Sequence, residues 1–262
     1  MLEECIKRYL SRLSRMKLLP EVEALDLGIY LQKENTFIIS DLHLGYEKEL
    51  HMRGILVPPF QFNEIKARLE RIFQEYPTFK YIVINGDLKH EFGRISNQEW
   101  DEILELIDIL SIHCEKIIVI KGNHDIILDR ITNKRNVQFE KIGFSPSKNI
   151  FITHGHIIPK KDKRLSDAKT IIIGNEHPAV SLTDGIITEK YKCFLKGSWK
   201  RKNLIVQPSF CLVTEGTDIL REEVISEFLE DLNLKNFEVF VVAAPDEIKY
   251  FGKIKNLEKP QK

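Results

Sequence analysis

Five times between residues 36 and 177, a short apolar, β-branched run stops abruptly at Asp, Asn or His. TFIIS (36–40) precedes Asp41, and YIVIN (81–85) precedes Gly86-Asp87. KIIVIK (116–121) precedes Gly122-Asn123-His124, NIFIT (149–153) precedes His154, and TIII (170–173) precedes Gly174-Asn175-Glu176-His177. Runs this uniformly apolar predict strands buried on both faces. Helical patterns separate the first three. One has apolar residues at 62, 65, 69, 72, 73 and 76, the other at 100, 103, 104, 106, 107, 109 and 110. Ser96 and Glu99 form a capping box for the second. Strand–helix–strand alternation predicts parallel pairing through βαβ crossovers.

In open α/β sheets, ligands bind beyond the carboxyl ends of the strands. If the runs lie side by side, that edge gathers Asp41, His43, Asp87, Asn123, His124, His154 and His177, with Asn175 as a further candidate. Carboxylates and imidazoles without thiolates suit Mn, Fe or Zn. Asp41 and His43 are two residues apart, so on extended backbone they share a face and reach one ion. Gly86 and Gly122 let the backbone turn close to an ion or a phosphate. One carboxylate such as Asp87 can bridge two metals, and two metals about 3.5–4 Å apart clamp the attacking and leaving oxygens of a phosphate ester. A nearby imidazole can protonate the departing alkoxide. Asp-x-His or Gly-Asp alone is commonplace, and most Asp and His are turn or surface residues. The ordered recurrence at the ends of apolar runs carries the reading.

Lys plus Arg equals Asp plus Glu, 39 each, so no overall field draws the chain to nucleic acid or an anionic membrane. Contact with nucleic acid would rest on local clusters. Residues 160–164 (KKDKR) and 196–202 (KGSWKRK) are the main ones, readable as solvated loops or as a phosphate-tracking rim with Trp199 stacking on a base. No apolar run reaches the roughly 20 residues of a membrane span, and no membrane partner is expected. The first 19 residues read as an amphipathic helix. Cys5, Cys114, Cys193 and Cys211 are widely spaced without a CxxC pair, which predicts reduced thiols in a cytoplasmic protein. From about 170 to 253 the sequence becomes strand-rich, with a helix expected near Glu222–Asp231 and a Pro245-Asp246 turn near the end. With no linker or repeat, residues 1–262 are expected to form a single domain, with a motif core at about 37–177.

The phrases ISDLHLG, NGDLKH, KGNHD, ITHGH and IGNEHP resemble, in order, the motifs of the calcineurin-like metallophosphoesterase superfamily. GDLKHEFG, the Arg53-Gly54-Ile55 to Gln61 stretch and the closing YFGKI are similar to the phosphoesterase group related to the SbcD-type nuclease, notably its archaeal members. The resemblance implies an α/β fold, a four-layer αββα sandwich of two mixed β-sheets flanked by helices. It implies two divalent ions, Mn²⁺ foremost, with Fe, Zn or Ni as other candidates. Asp41, His43 and His177 would hold one ion, Asn123 and His154 the other, and Asp87 would bridge them. His124 would be the acid near the leaving group, and His90 would contact the substrate phosphate. Asn175 stands where the family carries the first His of Gly-His-x-His. An amide can ligate through oxygen but offers no imidazole nitrogen, which makes the second metal set richer in oxygen. The activity expected is a two-metal phosphodiesterase, extending to a nuclease, with a metal-activated water attacking phosphorus. A phosphomonoesterase or cyclic-nucleotide phosphodiesterase is the alternative within chemistry. A non-catalytic metal-binding scaffold, as in the retromer sorting subunit, is the alternative outside it. The partner expected is a phosphate-ester substrate, with nucleic acid and a homodimer left open.

Overall fold

A computed structural model describes residues 13–90, 97–124, 137–183 and 186–257. The apolar runs form strands, but they divide between two sheets. The first sheet comprises β1 (Arg15–Leu19), β2 (Val22–Leu25), β3 (Gly28–Leu31), β4 (Thr36–Ser40), β5 (Phe79–Asn85), β6 (Cys114–Ile120) and β7 (Val137–Glu140), neighbours in that order. Pairing is antiparallel from β1 to β4 and parallel from β4 to β7. The helices α2 (Gln61–Glu75) and α3 (Asn97–Ile112) make the expected crossovers, after a short α1 (Tyr46–Met52). They bury Ile65, Leu69, Ile72 and Phe73, and Ile103, Leu106, Ile107 and Leu110.

The second sheet holds β8 (Phe144–Ser147), β9 (Ile150–Thr153), β10 (Thr170–Ile173), β11 (Pro178–Thr183), β12 (Thr188–Trp199), β13 (Lys202–Val206) and β14 (Thr217–Asp218). Its order is β14-β11-β12-β13-β10-β9-β8, and β15 (Glu238–Ala244) joins β12 to β16 (Glu247–Lys253). Strand alternation shows which face meets which layer. Ile152, Ile172 and Ile205 pack into the core shared with the first sheet, whereas Phe151, Ile171, Leu204 and Val206 pack outward. That outward face is covered by α4 (Lys163–Asp167), α5 (Ile254–Leu257) and turns carrying Phe228 and Leu229. The fold is therefore the expected α/β arrangement of two mixed sheets between outer layers, the fourth layer being thin. Among the described residues, no helix is long and apolar enough to cross a membrane.

Two expected helices are not found as such. Residues 15–19 form β1, in which Arg15, Met16, Lys17 and Leu19 pair with β2 around a bulge at the buried Leu18; residues 1–12 lie outside the described set, as do Ser96 and Asp125. The segment near Glu222–Asp231 is turns, because the N–H groups of Ile225 and Ser226 bond to the Glu176 side chain. Cys114, Cys193 and Cys211 form no disulfide.

Candidate metal centre

The carboxyl ends of β4, β5 and β6 meet those of β9 and β10 across the gap between the sheets, so the five runs converge from two layers. Asp41 is the point of contact. Its Oδ1 lies 2.8 Å from His154 Nε2, and its Oδ2 lies 3.4 Å from His177 Nε2 and accepts the Asn175 backbone N–H at 3.1 Å. Ser40 Oγ sits 2.5 Å from the same Oδ2 and 2.9 Å from Asn85 O. Asp87 Oδ2 faces His154 at 3.6 Å, His124 at 3.9 Å and His43 at 4.0 Å, while its Oδ1 accepts the His124 backbone N–H at 2.9 Å. Ligand atoms within 4.8 Å of one another form three overlapping groups: Asp41–His43–His177, Asp41–Asp87–His154 and His43–His90–His124.

Backbone conformation makes this convergence. Asp41, His43, Asp87, Asn175 and His177 all have positive φ, between 21° and 52°. Asp41 and His43 thus meet one site from left-handed backbone, and the expected extended geometry is not what brings them together. Such residues are strained by roughly 1–3 kcal/mol each and persist where surroundings over-determine them. Here Leu42 and Leu44 are fully buried on either side of His43. Gln61 Nε2 donates to Leu42 O and His43 O at 3.2 and 3.1 Å, and its Oε1 accepts from Leu212 and Val213 N–H. Phe210 and Cys211 N–H bond to Ser40 O and Asp41 O. The glycines are needed for close approach. A Cβ at Gly86 would stand 2.0 Å from the His154 ring, and one at Gly122 would stand 2.0 Å from Asp87 Oδ1.

The electrostatics favour a cation. Burial pushes Asp87 up to about 6, with His154 opposing and the Asp41 charge adding to the rise. Burial also raises Asp41, but His154 and His177 overcome it and hold its carboxyl well below the usual range. Burial, then His177, keeps His43 far below the ordinary imidazole value and so in the neutral, ligating form. His177 Nε2 is buried and faces Asp41 Oδ2 at 3.4 Å without meeting it in a well-formed hydrogen bond. Two buried carboxylates with imidazole nitrogens turned toward them are a donor set that fits divalent ions.

The other candidates are placed unevenly. His124 Nδ1 contacts His90 O, and a carbonyl only accepts, so Nδ1 carries hydrogen and Nε2 faces Asp87. His90 is stacked on Tyr46 at 3.8 Å, pairs with Glu49 through Nε2, and has Nδ1 3.3 Å from His43 Nδ1. Asn123 is exposed, and Asn175 is buried, touching Asp41 through its main chain. His156 Nδ1 lies 2.8 Å from His154 Nδ1. Trp199 is buried against Phe228, not available as a stacking platform.

Sequence reasoning missed Ser40, Tyr46, Glu49 and the brace around Glu176. Glu176 Oε2 accepts Ile225 and Ser226 N–H at 2.9 and 3.0 Å, Ser226 Oγ donates to Gly155 O at 2.8 Å, and Glu227 Oε2 accepts Ile158 N–H at 2.9 Å. Residues 225–227 thus tie the loop of His177 to the loop of His154. Burial lifts Glu176 to about 7. The one available signal was a carboxylate set between two candidate ligands.

A two-sheet α/β sandwich with this set at its strand ends defines a metal-dependent hydrolase of phosphate esters. A family model, calcineurin-like phosphoesterase, matches residues 35–242, and the chain belongs to that family. The crystal structure of Pseudomonas putida nuclease MPE is similar over 92% of this chain and 100% of that one, at 14% identity and a TM-score of 0.64. Yfce, a phosphoesterase from E. coli, is similar over 83% and 97%, at 15% identity and a TM-score of 0.39. Vps29 of Entamoeba histolytica complexed with Zn²⁺ is similar over 82% and 96%, at 15% identity and a TM-score of 0.33. No curated protein sequence matches the chain significantly.

Proposed function

We propose that the chain is a two-metal phosphodiesterase that uses Mn²⁺. The observation that carries this reading is the overlap of the ligand groups: Asp41 and His43 each belong to two, and Asp87 joins His154 beside them. In the proposed assignment Asp41, His43 and His177 would hold one ion. Asp87, His154, Asn123 and the Asn175 amide would hold the other, with Asp87 available to both. Asn123 is exposed at the rim and would turn inward to join this set. When bound, such ions polarise the phosphoryl oxygens and lower the pKa of a coordinated water.

The remaining roles fall to side chains. His124 presents Nε2 toward the centre because Nδ1 is held by the His90 carbonyl. Once protonated, Nε2–H is the proton given to the leaving alkoxide, a contribution of about 10²–10⁴ in rate. His90 is fixed by Tyr46 and by Glu49, which engages Nε2, so Nδ1, beside His43, is the ring nitrogen left to meet a phosphate oxygen. Ser40 and Gln61 hold the Asp41–His43 loop and exchange no proton with substrate. The likeness to a protein named as a nuclease supports a diester substrate. The test is Mn²⁺-dependent hydrolysis of bis-p-nitrophenyl phosphate against p-nitrophenyl phosphate. A kcat/KM favouring the diester is expected, and a preference for the monoester contradicts the reading.

A further inference from the structure

The loop that carries His154 runs on into a groove that the proposed mechanism does not use. It has a volume of about 810 Å³, and its lining includes Ile142, Ile157, Lys160, Lys161, Lys163 and Glu227. The chain itself joins it to the metal centre: His156, whose Nδ1 lies 2.8 Å from His154 Nδ1, is followed directly by Ile157 and Ile158 of the groove lining.

The charges of the groove do not cancel. Asp162 is held by Arg164 at 2.7 Å, and Arg164 also faces Glu140 at 3.8 Å. Glu227 accepts the Ile158 N–H and keeps its charge, so the lining sets Asp162 and Glu227 against Lys160, Lys161, Lys163 and Arg164, a surplus of cations. Among the described residues, Lys160, Lys161 and Lys163 have no ion-pair partner. Beside these three ammonium groups, Ile142 and Ile157 are 48% and 58% exposed, an apolar floor open to solvent. Unpaired cations beside apolar surface complement a polyanion that also bares flat apolar faces. A single nucleic-acid strand does so, with phosphates for the lysines and unstacked bases for the isoleucines. A duplex hides its bases, and a mononucleotide supplies one phosphate group for three lysines.

We infer that the groove over residues 157–164 seats single-stranded nucleic acid running to the metal centre. The direction of that strand rests on the phosphodiesterase reading, whereas its binding rests on the groove alone. The test is fluorescence anisotropy of a labelled oligothymidylate of about twelve nucleotides, within the span that single-strand grooves cover, measured in Mn²⁺ and in EDTA. The triple variant K160A/K161A/K163A is compared with the natural chain. The lysines lie on the surface, and thermal melting confirms the variant's fold. Affinity should fall at least about tenfold, and the slope of log K against log salt should flatten by about 2, at roughly 0.7 per lost phosphate contact. Hydrolysis of bis-p-nitrophenyl phosphate should be unchanged. Equal strand affinity and slope in the variant overturn the groove, as does equal affinity of the natural chain for a duplex or for thymidine monophosphate. Failure of the natural chain to bind the strand overturns it too. Lysine-dependent strand binding without diester hydrolysis would leave the groove standing and remove the phosphodiesterase reading. Diester hydrolysis with lysine-independent binding does the reverse.

Discussion

Substituting alanine for Gly174 puts a methyl group where the two sheets meet. The added Cβ would lie 2.5 Å from Asp41 Oδ2 and 2.0 Å from Ser40 Oγ, against ordinary contacts of 3.4 Å or more. Gly174 has no left-handed φ, so the effect is steric. Asp41 must withdraw by about 0.9 Å, several times the roughly 0.2 Å tolerance of a metal–ligand distance. Ser40 must move further, losing its contacts to Asp41 and Asn85. Overpacking of this kind costs about 1–3 kcal/mol of stability, a fall of roughly 2–12 °C in Tm for a chain this long. Displacing a ligand's support should weaken metal about 10–100-fold. Calorimetric titration with Mn²⁺, run beside a melting curve without metal, reads both. A folded Gly174→Ala protein with the natural Mn²⁺ isotherm refutes the claim that this contact positions Asp41 for metal.

Three further outcomes are expected. His124→Ala should keep its metal content and slow turnover by about 10²–10⁴ for alkyl esters, with a smaller loss for p-nitrophenyl esters, whose leaving group needs less protonation; equal losses contradict the acid role. Glu176→Ala leaves two N–H groups of the brace without their acceptor, at about 1–3 kcal/mol each, so both Tm and Mn²⁺ affinity should fall; a lower Tm with unchanged affinity shows a brace that stabilises without positioning ligands. Asn175→His should tighten the weaker ion, because an imidazole binds Mn, Fe or Zn better than an amide oxygen does, and titration of activity against Mn²⁺ would show a shift of about tenfold to lower metal; no shift, or a loss, means the loop is adapted to Asn175.

The first half of the fold was legible because burial on both faces leaves an unbroken apolar run, as in β4, β5 and β6, and because α2 and α3 keep a helical stripe. The strands β1 to β3 were not, since short antiparallel strands at a sheet margin mix charge with apolar residues, as Arg15 and Lys17 do beside Leu18. The segment near Glu222–Asp231 reads as a helix in local pattern, and a distant carboxylate, Glu176, decides otherwise. At the site, residue identities announced themselves at the strand ends. The left-handed backbone of Asp41 and His43 did not, because their loop is held by Gln61 and by the 210–213 segment from the other sheet. Likewise the pairing of His90 with Glu49 required a helix, α1, that a seven-residue pattern does not disclose.

The proposed function requires two ions that share Asp87. Metal per chain, measured after equilibration with Mn²⁺ and desalting, tests it most directly when the natural chain is set beside Asp87→Asn. Two ions per natural chain are expected, with binding of both weakened about a hundredfold or more in the variant, since the shared carboxylate loses its charge between two cations. Two ions held with natural affinity by Asp87→Asn, or a natural chain that never takes more than one, would contradict it.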